Sequence, residues 1–227
     1  MSGELFPLPA AEIAPGAVHV PGWLDTQEQL RLLAACREWA KPPAGLRTVR
    51  MPNGGQMSVR TVCLGWHWYP YGYARTVVDG DGAPVKPFPA PLGALARRAV
   101  AATLGEEEAA RYEPDIALVN FYGHGARMGM HRDKEERSAA PVVSLSLGDT
   151  CTFRFGNTEN RGRPWTDVEL RSGDLFVFGG PSRFAHHGVP RTFPGTAEPV
   201  LGLRGRVNVT VRVGGFGNSD SSGGSGY

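Results

Sequence analysis

The chain has 227 residues, of which 41% are hydrophobic and 20% charged, and its formal net charge is +2. That length fits one domain, or one domain with a lid, and the composition excludes a disordered chain. No apolar run approaches the roughly 18–20 residues a bilayer span needs, and a charge so near neutral does not by itself announce a nucleic-acid binder.

The N-terminal stretch, MSGELFPLPAAEIAPG, has an early acid and no basic region followed by an apolar one. No secretory signal is read there, and a cytoplasmic location is the expectation. The cysteines Cys36, Cys63 and Cys151 are odd in number and contain no CxxC, so each reads as a small buried hydrophobe. After Asp25, a plausible N-cap, QEQLRLLAACREWA has apolar residues at helical spacing. A second helix is expected at PLGALARRAVAATLG, with Pro91 near its start and Gly105 near its end. Between them MPNGGQMSVRTVCLG predicts a hairpin turning at NGG. The aromatic run GWHWYPYGYAR that follows is too broken by Pro and Gly for a regular element.

From residue 115 the pattern changes to short strands: DIALVNFY, MGMHRD, APVVSLSLG, CTFRFG, TDVELRSG, DLFVFGG, FAHHGV and GRVNVTVRV. Eight short strands with tight turns predict a mainly β fold with flanking helices (α+β). The core is a double-stranded β-helix, or jelly-roll (cupin-like), with the N-terminal helices packed outside. The expected organisation is one catalytic domain over residues 1–213, with a lid at about 50–80 and the jelly-roll core at about 115–213. The Gly/Ser-rich residues 214–227 are read as a flexible tail.

In GMHRDKEE, His131 and Asp133 are two residues apart, so on a strand they share a face. His186 and His187 come several strands later in RFAHHGV, where barrel closure can return a third ligand to the first two. His187 is preferred over His186 because Gly188 beside it gives clearance at a metal. Two histidines and a carboxylate with an open face suit a non-haem Fe(II) oxygenase. In the last predicted strand Arg206, Asn208, Thr210 and Arg212 alternate with three valines. Thr210 reads as an exterior residue. Two guanidiniums facing into a barrel demand anionic partners, and a dicarboxylate cosubstrate supplies one carboxylate for each.

HRD (His131 to Asp133), HHG (His186 to Gly188) and RVNVTVR (Arg206 to Arg212) together resemble the AlkB family of Fe(II)- and 2-oxoglutarate-dependent dioxygenases. Upstream, LVNFYGHGARMGMHRDKEE, MSV (Met57 to Val59) and Gly65, Trp66, Gly72 and Tyr73 extend the likeness over most of the chain. The resemblance implies that His131, Asp133 and His187 bind iron. Arg206, assisted by Asn120 and Tyr122, would grip the distal carboxylate of 2-oxoglutarate. Arg212 would sit near the iron-chelating carboxylate, with Asn208, Leu118 and Ser144 as further walls. It also implies use of O2 and oxidative demethylation of N-alkylated bases such as 1-methyladenine and 3-methylcytosine in DNA or RNA. The other products are succinate, carbon dioxide and formaldehyde.

Trp66 and Tyr73 match the family's aromatic lid positions for stacking a flipped base. Trp68 and Tyr71 fit either a stacking role or a mere cover over the barrel mouth. Arg127, Lys134, Arg161, Arg163 and Arg183 are candidates for phosphate contact, with Lys134 and Arg161 preferred. Two positions depart from the family pattern. Glu135 stands where Asp is usual beside the exocyclic amine of the base, and Arg75 where an aromatic is usual. The rival readings are the same chemistry on a protein or small molecule, a non-catalytic cupin-like binding module, and a zinc hydrolase. A monomer that acts on nucleic acid and has no membrane association is the expectation.

Overall fold

The computed structural model describes residues 9–217. Strands β1 (Ala11–Ala14) and β2 (Ala17–Val20) form a hairpin, in a stretch for which the sequence reading assigned no element. Its turn needs Gly16, which has φ +76°, and a Cβ there would come within 2.5 Å of the Gly179 carbonyl oxygen. Helix α1 (Thr26–Trp39) begins with a capping box. The Glu28 amide donates to Asp25 Oδ1 at 2.7 Å, and the Asp25 amide donates to Glu28 Oε2 at 3.1 Å. Strands β3 (Arg47–Arg50) and β4 (Gln56–Leu64) make the hairpin expected around NGG.

The aromatic run does form regular structure. Strands β5 (His67–Tyr69) and β6 (Gly72–Ala74) pair as a separate two-stranded hairpin, with Trp68 opposite Tyr73. Periodicity could not reveal strands of three residues. Helix α2 (Ala90–Leu104) ends at Gly105, and a short helix α3 (Glu106–Arg111) follows it.

The remaining strands are β7 (Ile116–Tyr122), β8 (Met128–His131), β9 (Val142–Gly148), β10 (Thr150–Phe155), β11 (Thr166–Leu170), β12 (Leu175–Phe178), β13 (His187–Phe193) and β14 (Arg206–Arg212). They build two sheets. The larger runs β1-β2-β12-β9-β14-β7-β4-β3 and the smaller β11-β10-β13-β8. All of these pairings are antiparallel, and the two sheets face each other as a jelly roll.

Period two along the large sheet sorts its side chains into two layers. Val207, Val209 and Val211 join Val143, Leu145, Leu147, Ala117 and Val119 in a core with Leu33 of α1 and Ala96 and Val100 of α2. On the opposite face Phe176, Phe178 and Tyr122 meet Phe153 and Phe155 of the small sheet. Both faces of β14 are therefore covered, and its polar residues point between the sheets. Thr210 is buried and donates to Asn208 Oδ1, so it does not occupy the exterior face expected of it.

Of residues 50–80, β4 is an integral strand of the large sheet, and only the β5–β6 hairpin stands apart from it. Residues 214–217, expected to begin a flexible tail, are held in place. The Gly214 amide donates to Asp115 Oδ1 at 2.6 Å, and the Phe216 ring packs on Trp66. The rest of the expected tail lies outside the described residues. Among the described residues no helix is long and apolar enough to cross a membrane.

Candidate metal centre and cosubstrate cavity

His131 ends β8 and His187 begins β13, and the two are direct partners across that antiparallel pair. Asp133 follows two residues after the strand and turns inward. One ligand atom from each of the three lies within 4.8 Å of the others. His131 Nε2 is 3.8 Å from Asp133 Oδ1, and His187 Nε2 is 3.8 Å from Oδ2. The Nδ1 atoms sit 2.9 Å from the Gly129 carbonyl and 3.0 Å from the Ala185 carbonyl. A carbonyl only accepts, so each Nδ1 carries the proton and each Nε2 turns a lone pair to the centre. His186 falls outside this group, and its Nδ1 lies 3.1 Å from the Asn157 carbonyl.

Asp133 is 4% exposed. Burial opposes its ionisation, but the Arg212 guanidinium, then His187 and His131, hold its carboxyl down at about 2. Burial, reinforced by the like charge of His131, pushes His187 down to about 4. Both groups are thus in the state that binds a metal at neutral pH.

The triad opens into a cavity of about 580 Å³. One wall is the polar face of β14 with its neighbours Leu118, Asn120 and Tyr122 on β7 and Ser144 on β9. Asn120 Oδ1 accepts from Thr61 Oγ1, and Asn208 Nδ2 donates to Ser144 Oγ at 2.8 Å. Arg206 is 1% exposed and donates from Nη2 to Ser146 Oγ at 2.9 Å, while its Nε and Nη1 have no hydrogen-bond partner. A buried guanidinium with two free donors is costly until an anion takes them, so this wall fits a carboxylate ligand. Arg212 is differently placed. Its Nη2 lies 2.7 Å from Asp133 Oδ2 and its Nη1 donates to Glu136 Oε1 at 2.8 Å, which leaves Nε without a partner.

At the mouth the structure departs from several expectations. Lys134, Glu135 and Arg161 do line the cavity. Trp66 and Tyr73 do not. Trp66 is buried, with its indole N–H donating to Asp115, Arg75 over its ring at 3.5 Å and Phe216 packed at 4.8 Å. Tyr73 donates to Glu136 Oε1 at 2.5 Å behind the metal site. The aromatic residues at the mouth are instead Trp68 and Tyr71. Tyr71 is 71% exposed, and it is held at φ +72°, a conformation strained for a residue with a Cβ. Arg183 cannot reach a phosphate: it is fully buried, donating to the Asp133 and Ala140 carbonyls and to Glu136. Arg163 lies over Trp165, and Arg127 is exposed outside the cavity lining.

Two features escaped the sequence reading. Glu136 is a buried carboxylate between Arg183 and Arg212, and burial's penalty on its charge is outweighed by Arg212, so it stays ionised. It stands beside the exposed charges of its own segment, and no periodicity separates it from them. Met51, Met57 and the β8 residues Met128 and Met130 all line the cavity, drawn from one loop and two strands. Only the topology brings them together.

Comparison with known proteins agrees with this geometry. Residues 16–212 match the family model described as "2OG-Fe(II) oxygenase superfamily". The chain is 39% identical over 204 residues to the alpha-ketoglutarate-dependent dioxygenase AlkB homolog of Caulobacter vibrioides, with 88% of each chain covered. It is 33% identical over 225 residues to the DNA N(6)-methyladenine demethylase ALKBH1C of Arabidopsis thaliana, covering 88% of this chain and 49% of that one. Among solved structures, OsALKBH1 superposes with a TM-score of 0.81 at 32% identity, over 90% of this chain and 100% of that one. The triad and the unsatisfied guanidinium fit the ferrous ion and 2-oxoglutarate that such enzymes use with O2. The chain belongs to the AlkB family of Fe(II)- and 2-oxoglutarate-dependent dioxygenases.

Proposed function

We propose that this enzyme removes alkyl groups from the nitrogens of nucleic-acid bases, with 1-methyladenine and 3-methylcytosine as expected substrates. The observation that carries the reading is the rim of the iron cavity. An exposed, strained Tyr71 and Trp68 stand beside Lys134 and Arg161, with the carboxylate of Glu135 on the same mouth. Aromatic faces stack a base taken out of its helix, cations follow the phosphates, and a carboxylate favours a base that methylation has made cationic. Trp68 and Tyr71 take the stacking role in place of Trp66 and Tyr73. The names of relatives support the same direction, since the Arabidopsis protein is called a DNA N(6)-methyladenine demethylase.

Bound iron, with 2-oxoglutarate and O2, supplies the oxidising power that turns a substrate C–H into C–OH as the cosubstrate leaves as succinate and carbon dioxide. In our assignment, Arg206 grips the distal carboxylate of 2-oxoglutarate, with Asn120 and Tyr122 beside it. Arg212 keeps Asp133 ionised and offers Nε near the other carboxylate. Asn208, Ser144 and Leu118 close the pocket and exclude water. A hydroxymethyl group formed on nitrogen then collapses to formaldehyde and the unmodified base.

The test is formaldehyde release from DNA and RNA oligonucleotides carrying 1-methyladenine, 3-methylcytosine or N6-methyladenine, comparing wild type with Asp133→Ala. Release is expected from wild type with at least one cationic methylated base, and none from the variant, which lacks the anionic ligand. Succinate formation that no oligonucleotide stimulates, but a peptide or small molecule does, would overturn the nucleic-acid reading.

A further inference from the structure

The residues just after β14 form a strap that joins three parts of the molecule. Gly214 N–H donates to Asp115 Oδ1, and the Arg137 amide donates back to the Gly214 carbonyl at 2.9 Å. Gly215, at φ +69°, turns the chain against Ser138. Phe216 then seats its ring 4.8 Å from Trp66 and 5.2 Å from Tyr73, with the Arg137 guanidinium 5.5 Å away. The strap therefore touches the β5–β6 hairpin on one side and the segment that carries Asp133 and Glu136 on the other.

Tyr73, which the strap holds, is the outer end of a buried polar chain. Its hydroxyl donates to Glu136 Oε1, and Arg212 Nη1 lies 2.8 Å from that oxygen and 3.3 Å from the hydroxyl. The other arm of Arg212 reaches Asp133. We propose that Phe216 is a positioning residue for the metal centre. It clamps Tyr73 against Glu136, so Arg212 is fixed in the orientation that presents the Asp133 carboxylate to iron. A second effect follows from the same contact. Phe216 packs on Trp66, over whose ring Arg75 also lies, which keeps that indole out of the substrate cavity.

The experiment measures Mn(II) affinity by calorimetry, with Mn(II) as a redox-silent probe, on full-length Phe216→Ala, Tyr73→Phe and the double variant, with Tm recorded for each. Each single change is expected to weaken Mn(II) binding about tenfold, the size of one charge-assisted hydrogen bond lost from the chain. The double variant is expected to be no weaker than the singles, because both act through the same link. Phe216→Tyr is expected to restore affinity to within about twofold of wild type. A lowered Tm with unchanged Mn(II) affinity, or losses that multiply in the double variant, would overturn the proposal. Should Phe216→Ala fail to fold, Phe216→Leu replaces it in the same comparison, judged by the same two criteria.

Discussion

At the scale of single residues, the information lies in which buried charges have partners. Asp133, Glu136, Arg183 and Arg212 are all buried, with Arg212 against both carboxylates and Arg183 against Glu136. Arg206 is equally buried and keeps two donors free. In our assignment the first group positions the metal ligands, and Arg206 pairs with a carboxylate of the cosubstrate. Replacing Arg206 by Ala is thus expected to raise the KM for 2-oxoglutarate by about 10²-fold, the loss of a buried charge-assisted pair, with little change in metal affinity. Cosubstrate titration at fixed iron, with Mn(II) calorimetry alongside, checks both halves. A KM within threefold of wild type would remove Arg206 from its role.

At the scale of elements, the centre depends on how closely β8 and β13 approach. A Cβ on Gly188 would fall 2.8 Å from the Met128 carbonyl oxygen and 2.9 Å from that of Gly129. The clearance that Gly188 gives is thus for the backbone of the opposite strand, not for the metal itself. Gly188→Ala is expected to spread the strands and separate His131 from His187, lowering Mn(II) affinity at least tenfold. Gly129→Ala, which meets open space, leaves it within about twofold. Equal affinities for the two variants would refute the role assigned to this strand pair.

Much of this level was legible in the sequence. Alternation in VSLSL and VNVTVRV marked β9 and β14, and Asp25 marked the start of α1, because period and capping are local chemistry. Period two along β14 also placed Arg206 and Arg212 on one face. What was not legible depended on contacts between distant segments. AEIA and AVHV become strands by pairing with one another and with β12, and the HWY and GYA hairpin is fixed partly by Arg47 reaching the Trp68 carbonyl. Trp66 carries no local sign that Arg75 and Phe216 cover it, nor Arg183 that it is buried.

At the scale of the molecule, two histidines are held neutral by the fold. Burial lowers His67, with Arg47 adding to the effect, and burial brings His187 to about 4. The unfolded chain, with ordinary imidazoles, takes up protons first as pH falls below 6.5. The metal-free protein is therefore expected to be fully stable in this respect above 6.5 and to lose stability as pH drops toward 4, by about 3 kcal/mol from His187. Denaturant melts of chelator-treated protein at several pH values check this, and His187→Gln is expected to flatten the dependence. A wild-type profile without slope over that range would refute it.

The order of strands in the large sheet has a consequence for how the protein is made. β14, the last strand among the described residues, lies in the middle of the sheet between β9 and β7, and the early strand β2 pairs with β12. A nascent chain leaving the ribosome therefore holds β7 and β9 as open, hydrophobic edges until residues 206–212 emerge. A premature stop before β14 thus yields an aggregation-prone fragment for the quality-control machinery rather than a smaller enzyme.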